Sequence, residues 1–248
     1  MKDYNEFWRI MKGAHGEHPS VRFRNYLIIK AVRQIFGYAK INTMLDVGCG
    51  NGDLLRQINN YLLSVNGANF SLSGFDISEY QISKNKLQRL PFDFKILDFN
   101  ERIEINDKFR IIICSEVIEH LKNWKTALEN IAKMNEPSGY LIITTQSGKR
   151  LRSDYDLGHL QHFELKRLED HLKILNYEII ESEKYGFPFY NLQKIVHSIF
   201  FPVSAKIAHN NTNRTASVLF SITYFLFRVS LKSKNLGPQI FILARKIC

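Results

Sequence analysis

Residues 44–55 read Met44-Leu-Asp-Val-Gly-Cys-Gly-Asn-Gly-Asp-Leu-Leu55. The apolar run over 41–47 ends in a cluster of glycines, which predicts a buried strand entering a tight turn. A helix is expected to follow over 53–63. Within the turn, Asp46, Gly48, Gly50 and Gly52 form D-x-G-x-G-x-G. Glycines there let the backbone turn sharply and let a ligand press on main-chain atoms. The next helix would turn free N–H groups toward an anionic part of that ligand.

Outward from this turn the pattern alternates. Strands are predicted over 71–75, 92–97, 109–114, 140–145, 177–183 and 239–244. Helices are predicted over 4–12, 21–37, 124–134 and 164–175, with another beginning at Ser78 as N-cap. The stretch Phe109-Arg-Ile-Ile-Ile-Cys114 is apolar almost throughout, as a parallel strand buried on both faces should be. Strands and helices in this alternation give an α/β fold with a doubly wound, mainly parallel sheet. Ligands of such sheets sit outside the carboxyl ends of the strands.

The 248 residues suffice for one such domain, and the composition is that of a globular protein. Cys49, Cys114 and Cys248 are odd in number and far apart, which argues against a disulfide framework or a zinc knuckle and for a reducing compartment. The first residues lack the continuous apolar core of a signal peptide. The uncharged stretch 215–227 is shorter than the ~20 residues that span a bilayer. The net charge of +10 is local: nine Lys and Arg, and no Asp or Glu, lie after Glu183.

Three further acidic residues follow predicted strands. Asp76 follows the second, Asp98 the third and Glu116 the fourth. Together with the glycine turn, the stretches 44–55, 74–78 (GFDIS), 96–99 (ILDF) and 115–121 (SEVIEHL) resemble class I S-adenosylmethionine-dependent methyltransferases, particularly those of ubiquinone biosynthesis and polysaccharide pathways. The resemblance implies a Rossmann-like, seven-stranded sheet with N-terminal helices and a C-terminal helical insertion. It divides the chain into N-terminal helices (1–40), a cofactor-binding core (41–185), a basic aromatic helical cover (186–235) and a last core strand (236–248). It implies S-adenosylmethionine as cofactor. Gly48, Gly50 and Gly52 would pass under its methionine and ribose, with Asp46 near its amino group and Asp76 at the ribose diol. Ile77 would also belong to the cofactor site, Asp98 and Phe99 would hold the adenine, and Ser115, Glu116 and Val117 would line the wall near the sulfonium. A nicotinamide dehydrogenase would place its third glycine one residue later, and a carboxylate at Asp46 suits an ammonium-bearing ligand.

The methyl acceptor is expected to be a small molecule carrying a hydroxyl: a sugar, a lipid-linked or a phenolic compound. Histidine near neutral pH can take the hydroxyl proton, and His162, His120 and His159 are the candidates, with no metal assigned. A metal-assisted alternative uses Glu116, Glu119 and His120, similar to the small-RNA 2′-O-methyltransferases. The near-neutral first 183 residues argue against nucleic acid. Two helices, over 190–208 and 215–231, carry aromatic and basic residues, including Phe200 and Phe201. They would cover the acceptor pocket, touch an anionic membrane, or both; a membrane-binding module without catalysis is the non-enzymatic alternative. Location is expected to be cytoplasmic, with peripheral contact at the inner membrane surface.

Overall fold

The computed structural model describes residues 4–10, 18–37, 42–65, 70–88, 90–210 and 214–247, with the backbone alone at 10, 201–210 and 214–217. The run before the glycine turn is a strand, β1 (Thr43–Val47). It lies between β2 (Ser71–Asp76) and β4 (Phe109–Ser115), parallel to both. Beyond β2 comes β3 (Asp93–Ile96), and beyond β4 comes β5 (Asn135–Gln146). Three strands then run antiparallel: β8 (Gln239–Lys246) against β5, β6 (Tyr177–Phe187) against β8, and β7 (Leu231–Ser233) at the edge. The order is β3-β2-β1-β4-β5-β8-β6-β7, so strand order reverses between β1 and β4.

The sheet therefore has eight strands where seven were expected. The addition is β7, within a stretch whose apolar periodicity (Phe225, Val229, Leu231) continues that of the preceding helix. Periodicity alone cannot place that helix's end, which comes at Arg228 and not at residue 231.

Side-chain alternation puts one apolar layer on each face of the sheet. Met44, Ile111 and Ile113 pack with Ile28 and Ile35 of α2 (Pro19–Phe36) and with Ile58 of α3 (Asp53–Ser64). Leu45, Ile112 and Cys114 pack with Leu128 of α5 (Trp124–Met134) and Leu168 of α7 (Leu165–Ile174). Helix α4 (Glu79–Leu87) starts where expected, because the Ser78 side chain accepts the Gln81 N–H at 3.2 Å. A 3₁₀ turn (Ile118–His120) and a six-residue helix, α6 (Arg152–Leu157), were not foreseen. Residues 136–139 (Glu-Pro-Ser-Gly) lie inside β5, whose register with β4 shifts there around the left-handed Ser138.

The N-terminal helix α1 spans Tyr4–Ile10; residues 11 and 12 of the expected helix lie outside the described residues. The tail folds as α8 (Phe189–Asn210), kinked at Phe200, and α9 (Arg214–Arg228). No helix among the described residues is long and apolar enough to cross a membrane. Cys49 and Cys114 are buried and unpaired, and Cys248 lies outside the described residues.

Candidate active site

The glycine turn stands at the reversal of strand order. Gly48, Gly50 and Gly52 have φ of 72°, 49° and 73°, in the left-handed region where a side chain is strained. The N–H groups of Gly48 and Cys49 both donate to the Phe75 carbonyl, at 2.7 and 3.1 Å. A Cβ at Gly48 would collide with Val117, so only glycine lets the turn approach the end of β4. Gly50 donates its N–H to Asp76 Oδ2 at 2.9 Å and accepts from Asn85 Nδ2 at 2.7 Å.

Asp46 and Asp76 are both buried. Burial, with the neighbouring Asp76 second, pushes Asp46 up to about 8, against the pull of Arg24. Burial also raises Asp76, opposed by the N–H groups of Ser78 and Gly50. A protonated, buried Asp46 fits a ligand cation, which would restore its charge. Of the other expected cofactor residues, Ile77 is exposed beside Asp76, whereas Phe99 packs into the second core layer. Asp98 Oδ1 accepts both the backbone N–H and the side-chain amide of Asn100, at 2.8 and 3.1 Å.

At the end of β4, Glu116 has a φ of 55°. Gln239 Nε2 donates to its Oε1 at 2.9 Å and Gln146 Nε2 to its Oε2 at 2.6 Å, with Arg24 Nη1 3.7 Å from Oε2. Burial alone would raise the Glu116 pKa, yet Arg24 and the two glutamines bring it below its ordinary value. Glu119 is fully buried and is pushed well up by burial and by Glu116. Its Oε2 accepts from Thr145 Oγ1 at 2.8 Å, while its Oε1 has no partner.

The three candidate histidines meet here. His120 Nδ1 lies 3.2 Å from the Gly158 carbonyl, and His162 Nδ1 lies 3.1 Å from that of Gly148. A carbonyl only accepts, so each Nδ1 carries a proton, and burial lowers the His162 pKa, which favours the neutral ring with its lone pair on Nε2. His159 Nδ1 lies 3.0 Å from His162 Nε2; His159 therefore donates from Nδ1 and also keeps its lone pair on Nε2. Burial, then His120, pushes His159 down to about 3, so it stays neutral. Ligand-capable atoms of Glu119, His120 and His159 lie within 4.8 Å of one another, as do those of Asp154, His159 and His162. The second group already contains the His159–His162 hydrogen bond. Glu116 belongs to neither, since both its oxygens serve glutamines.

Arg24, Gln146, Asp154, Lys194 and Gln239 were not singled out from the sequence. Lys194 Nζ lies 3.2 Å from Asp154 Oδ1 and donates to Gln146 Oε1 at 3.0 Å. The available signal was a glutamine at the end of each of two apolar strands, LIITTQ and QIFILA. A polar side chain in that place is buried and must find a partner.

A family model described as a methyltransferase domain matches residues 20–182. A ubiquinone biosynthesis O-methyltransferase of Rickettsia bellii (strain OSU 85-389) is 26% identical over 167 residues, 64% of this chain and 67% of that protein. One from Pelagibacter ubique (strain HTCC1062) is 28% identical over 110 residues, 44% of each. Among solved structures, the N-methyltransferase NodS from Bradyrhizobium japonicum WM9, in complex with S-adenosylhomocysteine, superposes with a TM-score of 0.58. That superposition covers 99% of each chain at 14% identity, a likeness of fold.

Proposed function

The chain belongs to the methyltransferase-domain family and uses S-adenosylmethionine, and from that premise we propose that it methylates a hydroxyl of a small-molecule acceptor. The name shared by its sequence relatives, ubiquinone biosynthesis O-methyltransferase, supports oxygen as the receiving atom. The enzymatic family sets aside the non-catalytic membrane module. In the proposed site Asp46 faces the cofactor's ammonium, Asp76 its ribose diol, and Gly48, Gly50 and Gly52 its methionine and ribose. Ile77 and Asp98 border the adenine, with Phe99 behind them in the core, and Ser115, Glu116 and Val117 form the wall toward the sulfonium.

The observation that carries the reading is the meeting of His120, His159 and His162 at the strand ends beside Glu119, with His120 Nδ1 on the Gly158 carbonyl and His159 Nδ1 on His162 Nε2. S-adenosylmethionine supplies an electrophilic methyl group: as the acceptor oxygen bonds it, the carbon–sulfur bond breaks and its electrons leave with sulfur. The hydroxyl proton passes to His120. His162, with both nitrogens engaged, orients His159 and is a positioning residue. Methyl-labelled S-adenosylmethionine offered with sugar nucleotides, lipid extracts and phenols tests this. Label confined to nitrogen or carbon would overturn it.

A second reading has its own support. The unpartnered Glu119 Oε1, close to His120, oriented by the Gly158 carbonyl, and to His159, oriented by His162, is a donor set suited to a divalent cation. A cation there would polarise the acceptor hydroxyl, and the ligands would be Glu119, His120 and His159.

Exposed apolar side chains run along both tail helices: Leu192, Ile195, Val196 and Ile199 on α8, and Val218, Leu219, Ile222 and Phe225 on α9. Such stripes suit a lipid surface, and a lipid-linked acceptor is the companion proposal. The charge contributes less than its count implies. Lys184, Lys194, Lys232 and Lys234 pair with Glu164, Asp154, Glu181 and Glu169. The side chains of Phe201, Lys206 and Arg214 lie outside the described residues.

A further inference from the structure

Helix α1 lies across the mouth of the cofactor turn. The Trp8 ring fills the space a side chain at Gly50 would need: a Cβ there would stand 2.6 Å from its Cη2. Two residues before the helix midpoint, the Asn5 side-chain oxygen accepts from Ser78 Oγ at 2.9 Å and from the Tyr80 N–H at 3.1 Å. That docks α1 on the start of α4, immediately after Asp76. The Tyr4 ring meets His120 edge-on at 5.8 Å. Burial raises the Tyr4 phenol, and the carboxylates of Glu119, Asp76 and Asp98 add to the effect. One short helix thus touches the glycine turn, the strand ends and the histidine cluster.

Residing on the cofactor assignment above, we infer that α1 is the outer wall of the cofactor site, with Trp8 and Tyr4 contacting the bound cofactor and Asn5 positioning them. The methionine portion of the cofactor needs the surface of Gly50 that the indole now covers. It must lift Trp8 from the glycine and is then covered by it. An indole face is well suited to a sulfonium or ammonium cation, and the two tyrosine and tryptophan rings exclude water from the reacting centre.

The chain has two tryptophans, and the other, Trp124, is buried against Phe163 and His171 on the far layer. A ligand-dependent change in tryptophan emission, with that of Trp8→Phe as the Trp124 background, therefore reports on Trp8. S-adenosylmethionine or S-adenosylhomocysteine should change the emission of the wild-type protein saturably, with the midpoint found by calorimetry, and should leave the emission of Trp8→Phe unchanged. Asn5→Ala should release S-adenosylhomocysteine about three- to tenfold faster, the scale of one or two lost hydrogen bonds. Trp8→Ala should weaken binding more than Trp8→Phe, which keeps an aromatic face. Calorimetric binding that Asp76→Ala weakens, with Trp8 emission silent and Asn5→Ala unaltered, would overturn the role of α1 while leaving the cofactor site standing. No calorimetric binding at all would instead remove the cofactor site, and α1's role with it.

Discussion

The N–H of Gly50 donates to Asp76 Oδ2 across 2.9 Å, while Oδ1 of the same carboxylate accepts from the Ser78 N–H at 2.8 Å. One side chain therefore ties the glycine turn after β1 to the start of α4, and it does so before any ligand arrives. Each oxygen retains a further lone pair for a ribose hydroxyl.

Replacing Asp76 with Ala should cost about 1.5–3 kcal/mol of S-adenosylhomocysteine binding, the scale of hydrogen bonds to a charged group. It should also lower thermal stability, because two buried N–H groups lose their acceptor. Calorimetry and a melting curve on the same protein separate the effects. Unchanged affinity in a folded Asp76→Ala protein would take the residue out of the site.

Asp46 gives a pH dependence whose sign is fixed. Its folded pKa, about 8, lies above the ordinary 3.8, so the fold favours the protonated form. Its contribution to the ligand-free protein's stability is present below about 4 and is lost as pH rises toward about 8. A cofactor cation beside it favours the carboxylate, so binding should release a proton at pH 7, and affinity should rise between pH 6 and 7.5. Calorimetry in buffers of different ionisation heat counts that proton. Asp46→Asn should release none from this group, and equal proton counts in the two proteins would refute the assignment.

The histidine cluster separates a general base from a cation by chelation. With His120 acting as base, activity survives EDTA, and His120→Ala loses on the order of 100-fold or more in kcat. Activity that EDTA abolishes and a divalent ion restores, with Glu119→Ala equally dead, would establish the cation and displace the base.

For the tail, co-sedimentation with lipid vesicles should show binding that the double substitution Ile222→Asp and Phe225→Asp abolishes without loss of fold. Since four of the nine basic residues are internally paired, raising salt from 0.1 to 1 M should weaken binding only in part, although it shortens the screening length from about 10 to about 3 Å. A protein that ignores both anionic and neutral vesicles would point to a soluble acceptor.

Much of this architecture was legible in the chain. The glycine turn and the apolar runs announce β1, β4 and β5, because a strand buried on both faces is largely apolar. Strand β2, with two serines and a glycine, is legible only from the alternation of strands with helices. The strand-end positions of Asp46, Asp76 and Glu116 follow from those strands. The partners were not legible: Arg24 reaches Glu116 from α2, Gln239 from β8 and Lys194 reaches Asp154 from α8, and only tertiary packing joins segments so far apart. Phe99 illustrates the reverse. Adjacent to Asp98 in sequence, it packs into the core, since successive residues beyond a strand do not share a face. The meeting of His120, His159 and His162 depends on α6 and the 3₁₀ turn, short elements without enough residues to show a period.

The most direct measurement follows the methyl group itself. The wild-type protein and His120→Ala are incubated with carbon-13 methyl-labelled S-adenosylmethionine and a panel of sugar nucleotides, lipid extracts and phenols, and the products are examined by nuclear magnetic resonance. The account predicts label in a methyl ether of one small-molecule class, strongly reduced with His120→Ala. Label attached to nitrogen or carbon, or found only when RNA is supplied, would contradict it.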